Sequence, residues 1–161
     1  MTADQPFTLV DMLDARSRHV FERFIDVTLP KSQWDHGAHL TVCWVALDRL
    51  DPADALTLLR DAISRYNVAT GVANIETAGY HETLTRYFGR AVADSAASTV
   101  DDVFESEPCA RDAPLRHWTR ERLFSRTARA RWMEPDLVEL PWDGLGLVNG
   151  ESPGLAPQQH A

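Results

Sequence analysis

The chain has 161 residues, and its 24 acidic and 16 basic side chains give a net charge of −8. This length is typical of one domain with a substantial core, and the acidic excess excludes a dominant basic face for a nucleic-acid backbone. The amino terminus lacks the basic and long apolar segments of a signal peptide, and no apolar run reaches the length of a membrane span. The two cysteines, Cys43 and Cys109, match no disulfide framework. We therefore expect a soluble, cytoplasmic protein with no nucleic-acid or membrane partner.

The first predicted helix lies near the amino terminus. Either Thr8 or Asp11 can cap it, and its apolar pattern runs to about Thr28. Its predicted buried side consists of Leu9, Met12, Leu13, Val20, Phe21, Phe24 and Ile25.

The second predicted helix covers residues 32–50 and has two histidines near its start, His36 and His39. Ser32 and Asp35 are spaced as a capping box in which aspartate replaces the usual glutamate. Both imidazoles lie on the face that this helix turns toward the core. The apolar residues of that face are Leu40, Cys43, Leu47 and Leu50. Because buried ring nitrogens need hydrogen-bond partners, two inward histidines indicate more than packing.

The third predicted helix begins at Asp51 and Pro52. Aspartate caps the unpaired backbone amides of a helix start, and proline fits the first helical position. The apolar residues that follow recur at steps of three and four, at Leu56, Leu59, Ile63 and Tyr66.

A fourth helix is predicted to begin within residues 79–83, with Thr77 or Gly79 as its cap. Glu82 suits the positive end of the helix dipole and can pair with Arg86, four residues later, on the flank of the helix. The residues predicted to face inward are His81, Leu84, Thr85, Phe88 and Val92.

The second half of the chain has weaker periodicity. The predicted elements are short helices over 100–105, over 115–124 and from Ser125 to about Met133, and an apolar stretch over 137–142 that lies back along the bundle. The glycine- and proline-rich end, residues 143–161, is expected to be a mobile tail. Because no strand-like alternation occurs, residues 1–142 are predicted to form an all-α, single-domain bundle of four main helices with short C-terminal helices.

The predicted topology brings three histidines together. Short connections make consecutive helices antiparallel, so the second and fourth helices run parallel and begin at the same end of the bundle. His36 and His39 lie in the first two turns of one helix, and His81 lies in the first turn of the other. We therefore predict that the three imidazoles converge at this end.

Three converging imidazoles form the ligand set of a metal site that keeps one position open for water or substrate. His36, His39 and His81 are therefore predicted metal ligands, with zinc as the default ion and iron, nickel or copper compatible with the same ligands. Such an ion would polarise a carbonyl or activate water, in hydrolysis or in a lyase or isomerase step on a small-molecule substrate. Glu82 is the predicted general base. Three further carboxylates could complete or support the site: Asp26, Glu134 and Asp136.

Two alternatives to a metal-dependent enzyme stay open. In the first, the chain is a non-catalytic helical module that binds a small ligand or a protein partner, and its histidines form buried hydrogen bonds. In the second, His81 and Glu82 perform acid–base catalysis without a metal. The sequence leaves the oligomeric state undecided, and a homodimer is compatible with all three hypotheses.

Five short motifs follow one another along the chain: H-x-x-H-L at 36–40, Y-N at 66–67, G-Y-H-E-T at 79–83, R-L-F-S-x-x-A-R at 122–129 and E-P-D at 134–136. This order, which covers about residues 34–140, resembles that of an uncharacterised family of small bacterial helical proteins. The resemblance implies that the three histidines and Glu82 belong together, and it implies no substrate. The family pattern has a Tyr-Ser pair where this chain has Trp118-Thr119, so no role of that tyrosine carries over.

Overall fold

The computed structural model describes residues 15–142, and within them helices follow one another without a β-strand. The helices are α1 (Ala15–Ile25), α2 (His36–Arg49), α3 (Pro52–Ala69), α4 (Glu82–Asp94), α5 (Val100–Glu105), α6 (Arg120–Leu123) and α7 (Arg126–Ala130). Three 3₁₀ turns lie between them, at Lys31–Gln33, Glu107–Cys109 and Ala113–Arg116. The predicted all-α fold, with four main helices followed by shorter ones, is confirmed.

Two parts of the sequence-based prediction fall outside the described residues. They are the caps at Thr8 or Asp11 with the apolar residues next to them, and the tail over 143–161. Within the described part of the chain, none of the helices combines the length and the apolarity that a membrane crossing requires.

Helix α2 lies at the centre of the bundle, in contact with α1, α3, α4 and α5. Leu40 and Cys43 face the core as predicted. Val42 and Val45 are equally buried because α2 has neighbours on several sides. Leu50, also predicted to face inward, is exposed because it lies just past the end of α2.

The four largest fully buried side chains are aromatic: Phe24, Tyr66, Tyr87 and Trp118. The two tyrosines and the tryptophan each donate a hydrogen bond to a backbone carbonyl, at 2.8 to 3.0 Å. The accepting residues, Leu29, Pro108 and Met133, all lie outside the helices. These aromatic side chains therefore fasten the connecting segments to the helical core.

The start of α2 differs from the prediction. Asp35, not Ser32, is the N-cap, and its carboxylate accepts from the Ala38 amide at 2.8 Å. Ser32 lies instead in the first 3₁₀ turn. The chain leaves the helical conformation at Trp34, whose ring stacks on Phe24 of α1 at 4.6 Å between centroids. This contact with α1 outweighs the local capping-box signal.

The start of α4 also differs from the prediction, because His81 itself is the N-cap in place of Thr77 or Gly79. Gly79 has a different role. Its φ is +84°, and a Cβ atom there would lie 2.5 Å from the Ala73 carbonyl oxygen. The position therefore requires glycine to turn the chain into His81.

The positions of α3 and α5 were predicted well, because the residues that indicate each helix lie next to it in the sequence. Asp51 caps α3 as predicted, accepting from the Asp54 amide at 3.0 Å. The short helix predicted over 100–105 is α5, capped by Thr99. Ser125 caps α7 as predicted.

The single helix predicted over 115–124 is wrong. A 3₁₀ turn and α6 share this segment, and Thr119 caps α6. The amide and the hydroxyl of Thr119 both donate to the Asp136 carboxylate, at 2.8 and 2.7 Å. This contact between distant residues turns the chain at Thr119 and starts a new helix there.

Helix α7 ends at Ala130 instead of near Met133. The buried Thr83 hydroxyl donates to the Arg131 carbonyl at 2.8 Å and accepts from the Met133 amide at 3.2 Å. These two bonds hold the chain extended beyond α7. The apolar stretch over 137–142 packs only in part, because its first residues are exposed while Trp142 is buried.

Candidate functional site

A cavity of about 670 Å³ lies where α2 and α4 begin, closed on another side by residues 111–129. Its polar and charged walls include Asp35, His36, His39, His81, Arg111 and Arg129. Its apolar walls include Trp34, Leu84, Phe88, Leu115, Leu123 and Phe124. This volume suits a small organic molecule. The three histidines singled out from the sequence therefore all line one cavity.

His81 uses both ring nitrogens to hold the protein together. The Leu84 amide donates to Nδ1 at 3.1 Å, so Nδ1 carries no proton, and Nε2–H donates to the Leu123 carbonyl at 2.7 Å. Burial, the largest effect, lowers the pKa of His81 to about 4 even though the bond to Leu123 acts the other way. His81 is thus a neutral cap that ties α4 to α6.

His36, the first residue of α2, joins that helix to the second 3₁₀ turn. Its Nε2–H donates to the Cys109 carbonyl at 2.8 Å, and its ring packs edge-on against Phe88 at 4.9 Å between centroids. Within residues 15–142 its Nδ1 has no hydrogen-bond partner. Since Nε2 carries the proton, Nδ1 is an acceptor.

His39 lies one turn further along α2 and packs against Trp34, at 3.8 Å between ring centroids. Its Nδ1–H donates to the Asp35 carbonyl at 3.2 Å, which leaves Nε2 as an acceptor with no partner in the described part of the chain. Burial, and then the nearby His36, lowers the pKa of His39 to about 4. His39 is therefore neutral at physiological pH.

The structure differs from the predicted three-histidine metal site at His81. Metal ligation would require a free nitrogen, and both of its nitrogens are held by backbone groups. Among residues 15–142, no group of three or more His, Cys, Asp or Glu side chains is placed to hold a metal ion. Glu134 accepts from the Trp132 indole and Asp136 accepts from Thr119, and none of the carboxylates of Asp26, Glu134 and Asp136 lines the cavity. Metal binding stays a prediction.

Because both ring nitrogens of His81 are held by backbone groups, we expect the melting temperature of tag-free protein not to respond to Zn²⁺ or to EDTA. An ion that binds only the folded state at 100 times its Kd would stabilise the protein by about 2.7 kcal/mol and raise Tm by about 5–10 °C. Calorimetry with and without the ion checks this expectation. A rise of that size, reversed by EDTA, would contradict it and restore the metal hypothesis.

Glu82, the predicted general base, does not line the histidine cavity. Its carboxylate lies on another side of the α4 start and accepts two hydrogen bonds from Arg60 and one from the Tyr80 hydroxyl, the latter at 2.7 Å. Arg86 lies 3.8 Å from the same carboxylate. These contacts give Glu82 a structural role, and its predicted role in catalysis gains no support.

Arg129 of α7 is a site residue that sequence reasoning missed. One terminal nitrogen donates to the Gly79 carbonyl at 2.9 Å, Nε is buried without a partner, and no carboxylate of residues 15–142 pairs with it. Burial lowers the pKa of this guanidinium. A signal was present, because no acidic residue lies three or four positions from Arg129.

Cys43 also lines the cavity, but it is not a nucleophile. Burial, and then the nearby Cys109, raises the pKa of its thiol to about 12. The thiolate, which is the reactive form, is therefore not populated at neutral pH.

Comparisons with protein-family models, with curated proteins and with solved structures find no match to this chain.

Proposed function

We propose that this protein binds a small organic molecule with an apolar body, a hydrogen-bond donor and a carboxylate. The observation that carries the proposal is the set of side chains that line one cavity, in which His36 and His39 present acceptor nitrogens and Arg129 has no carboxylate partner among residues 15–142. Binding pockets commonly combine apolar walls with a few such polar groups.

The histidine pair supports a ligand that donates hydrogen bonds. His36 and His39 are one helical turn apart, and each has one nitrogen fixed by a backbone carbonyl. These bonds set the tautomer of each ring before a ligand arrives. A hydroxyl, amine or indole N–H of the ligand could then donate to His36 Nδ1 or His39 Nε2.

The charges in the cavity support an anionic group on the ligand. Arg111 and Arg129 are its cations, and neither has an ion-pair partner among the described residues. Asp35 is the only acid among the described residues that line the cavity, and one of its oxygens already caps α2. A guanidinium without a carboxylate partner, in a partly dry site, favours a ligand carboxylate.

The low pKa values of two cavity histidines favour a binding role over acid–base catalysis. A general base works best when its pKa lies near the working pH, and the pKa of His39 and that of His81 both lie near 4. The two free thiols fit a reducing compartment, which supports the proposal that this binding takes place in the cytoplasm.

Three related probes test the proposal by calorimetry: indole-3-acetate, phenylacetate, which lacks the N–H, and 3-methylindole, which lacks the carboxylate. We expect indole-3-acetate to bind with a Kd below about 1 mM and the other two to bind about tenfold more weakly. His39→Phe keeps a ring against Trp34 but removes the acceptor, so it should weaken indole-3-acetate binding about tenfold.

His19→Phe is the matched control, because His19 is exposed on α1 and does not line the cavity. It should leave the affinity unchanged. Absence of binding by all three probes would contradict the proposal, as would equal losses in the His39 and His19 variants.

A further inference from the structure

A second cavity, of about 570 Å³, lies on the side of the α4 start where Glu82 is found. Five arginines line this arginine groove: Arg60, Arg86, Arg126, Arg129 and Arg131. The described acids that line it are Glu76 and Glu82. A local excess of arginine is unexpected in a chain whose acids outnumber its bases by 24 to 16.

The two glutamates do not neutralise the groove. Glu82 is buried and accepts hydrogen bonds from Arg60 and Tyr80, with Arg86 3.8 Å away, so its single negative charge offsets only one of the positive charges. Glu76 pairs with Arg126 at 3.3 Å, but both side chains are about three-quarters exposed. Such a pair in water holds neither partner strongly. A net positive field is therefore left inside the groove.

Three of the five arginines are held in place before any ligand binds, and Arg60 is one of them through its bonds to Glu82. The Arg86 guanidinium stacks over the Trp132 ring at 5.2 Å and is largely buried. Arg129 is anchored on the Gly79 carbonyl. Arg131 has no side-chain partner within residues 15–142. Stacked and anchored guanidinium groups lose little freedom when they bind an oxyanion.

We propose that the arginine groove binds a phosphate group carried by a small molecule. Guanidinium groups match the oxygens of phosphate in paired hydrogen bonds. A site with several positive charges suits the double negative charge of a phosphate better than the single negative charge of a carboxylate. The size of the groove fits a small ligand. The net charge of −8 would repel a nucleic acid from the rest of the surface.

The arginine groove can be tested separately from the proposed carboxylate site. Arg126 and Arg131 line the arginine groove and not the histidine cavity. Arg129 lines both and lies between them. Changes at Arg126 and Arg131 therefore test the groove alone.

Calorimetric titration of the full chain with inorganic phosphate and pyrophosphate, at constant ionic strength, tests the proposal. We expect saturable binding with one site, tighter for pyrophosphate. The double variant R126Q/R131Q should weaken that binding about tenfold or more. Both side chains are exposed, so the variant should fold, and circular dichroism checks this.

The control R16Q/R18Q removes the same charge from two exposed residues of α1. It should change phosphate affinity less than about twofold. Equal weakening in the two double variants would overturn the proposal, since it would show attraction by net charge alone. Absence of saturable binding of either anion would also overturn it. The groove variant should still bind indole-3-acetate as the unmodified protein does, so the two proposals can fail separately.

Discussion

Replacing Glu82 by alanine is expected to lower the free energy of unfolding by about 4 kcal/mol. The Glu82 side chain is only 7 % exposed, and its carboxylate holds Arg60 and the Tyr80 hydroxyl with Arg86 nearby. Removing it leaves two close, partly buried guanidinium groups that repel each other without a counter-charge. The variant also removes a negative charge from the first position of α4, where the helix dipole favours it.

Urea unfolding of the alanine variant, followed by circular dichroism, measures this loss. The slope of the free energy against urea should stay unchanged, because the same surface is exposed on unfolding. Glu107→Ala is the matched control. Glu107 also pairs with an arginine, Arg116, at 2.6 Å, but the two side chains are 78 % and 48 % exposed. Its removal should cost less than about 0.5 kcal/mol. Similar losses in both variants would show that the Glu82 network is no stronger than a surface ion pair.

The elements that sequence reasoning placed well depend on contacts within one turn. The Asp51 cap of α3 and the Ser125 cap of α7 each bond an amide three residues ahead. Such signals are visible in the sequence because both partners lie in it side by side. The starts of α2 and α6 were misplaced because each depends on a distant partner, Phe24 in one case and Asp136 in the other.

The candidate site, too, could be predicted from the sequence only in part. Chain connectivity predicted that three histidines lie at one end of the bundle, and all three line one cavity. Which ring nitrogens are available could not be predicted. The carbonyl that binds His36 lies 73 residues away, and the one that binds His81 lies 42 residues away. Glu82 was likewise paired with Arg86 from spacing, whereas it accepts two hydrogen bonds from Arg60 of α3 and Arg86 lies 3.8 Å away.

Acid should destabilise this protein well before its carboxylates are protonated. His39 and His81 both have a pKa near 4 in the folded state, against 6.5 for an exposed histidine. Below pH 6.5 the unfolded chain binds two protons that the folded protein does not bind. The two histidines therefore contribute their whole stabilisation above pH 6.5, and the free energy of unfolding falls as the pH approaches 4. Each histidine contributes about 1.4 kcal/mol per pH unit in this window. From pH 7 to pH 4.5 the two together should remove about 5 kcal/mol of unfolding free energy.

Urea unfolding at pH 7 and at pH 4.5, repeated on variants, tests whether His39 and His81 cause this loss of unfolding free energy. His39→Phe cannot titrate and should retain about half of the pH dependence. His81→Asn keeps an oxygen that can cap the Leu84 amide but loses the bond to Leu123, so it should lower the free energy of unfolding at pH 7 by about 1 kcal/mol. This variant should also remove the other half of the pH dependence. In the double variant the unfolding free energy should be nearly constant between pH 6.5 and 4.5. If it falls as steeply there as in the unmodified protein, the acid sensitivity belongs to other groups, and the neutral buried state assigned to His39 and His81 is wrong.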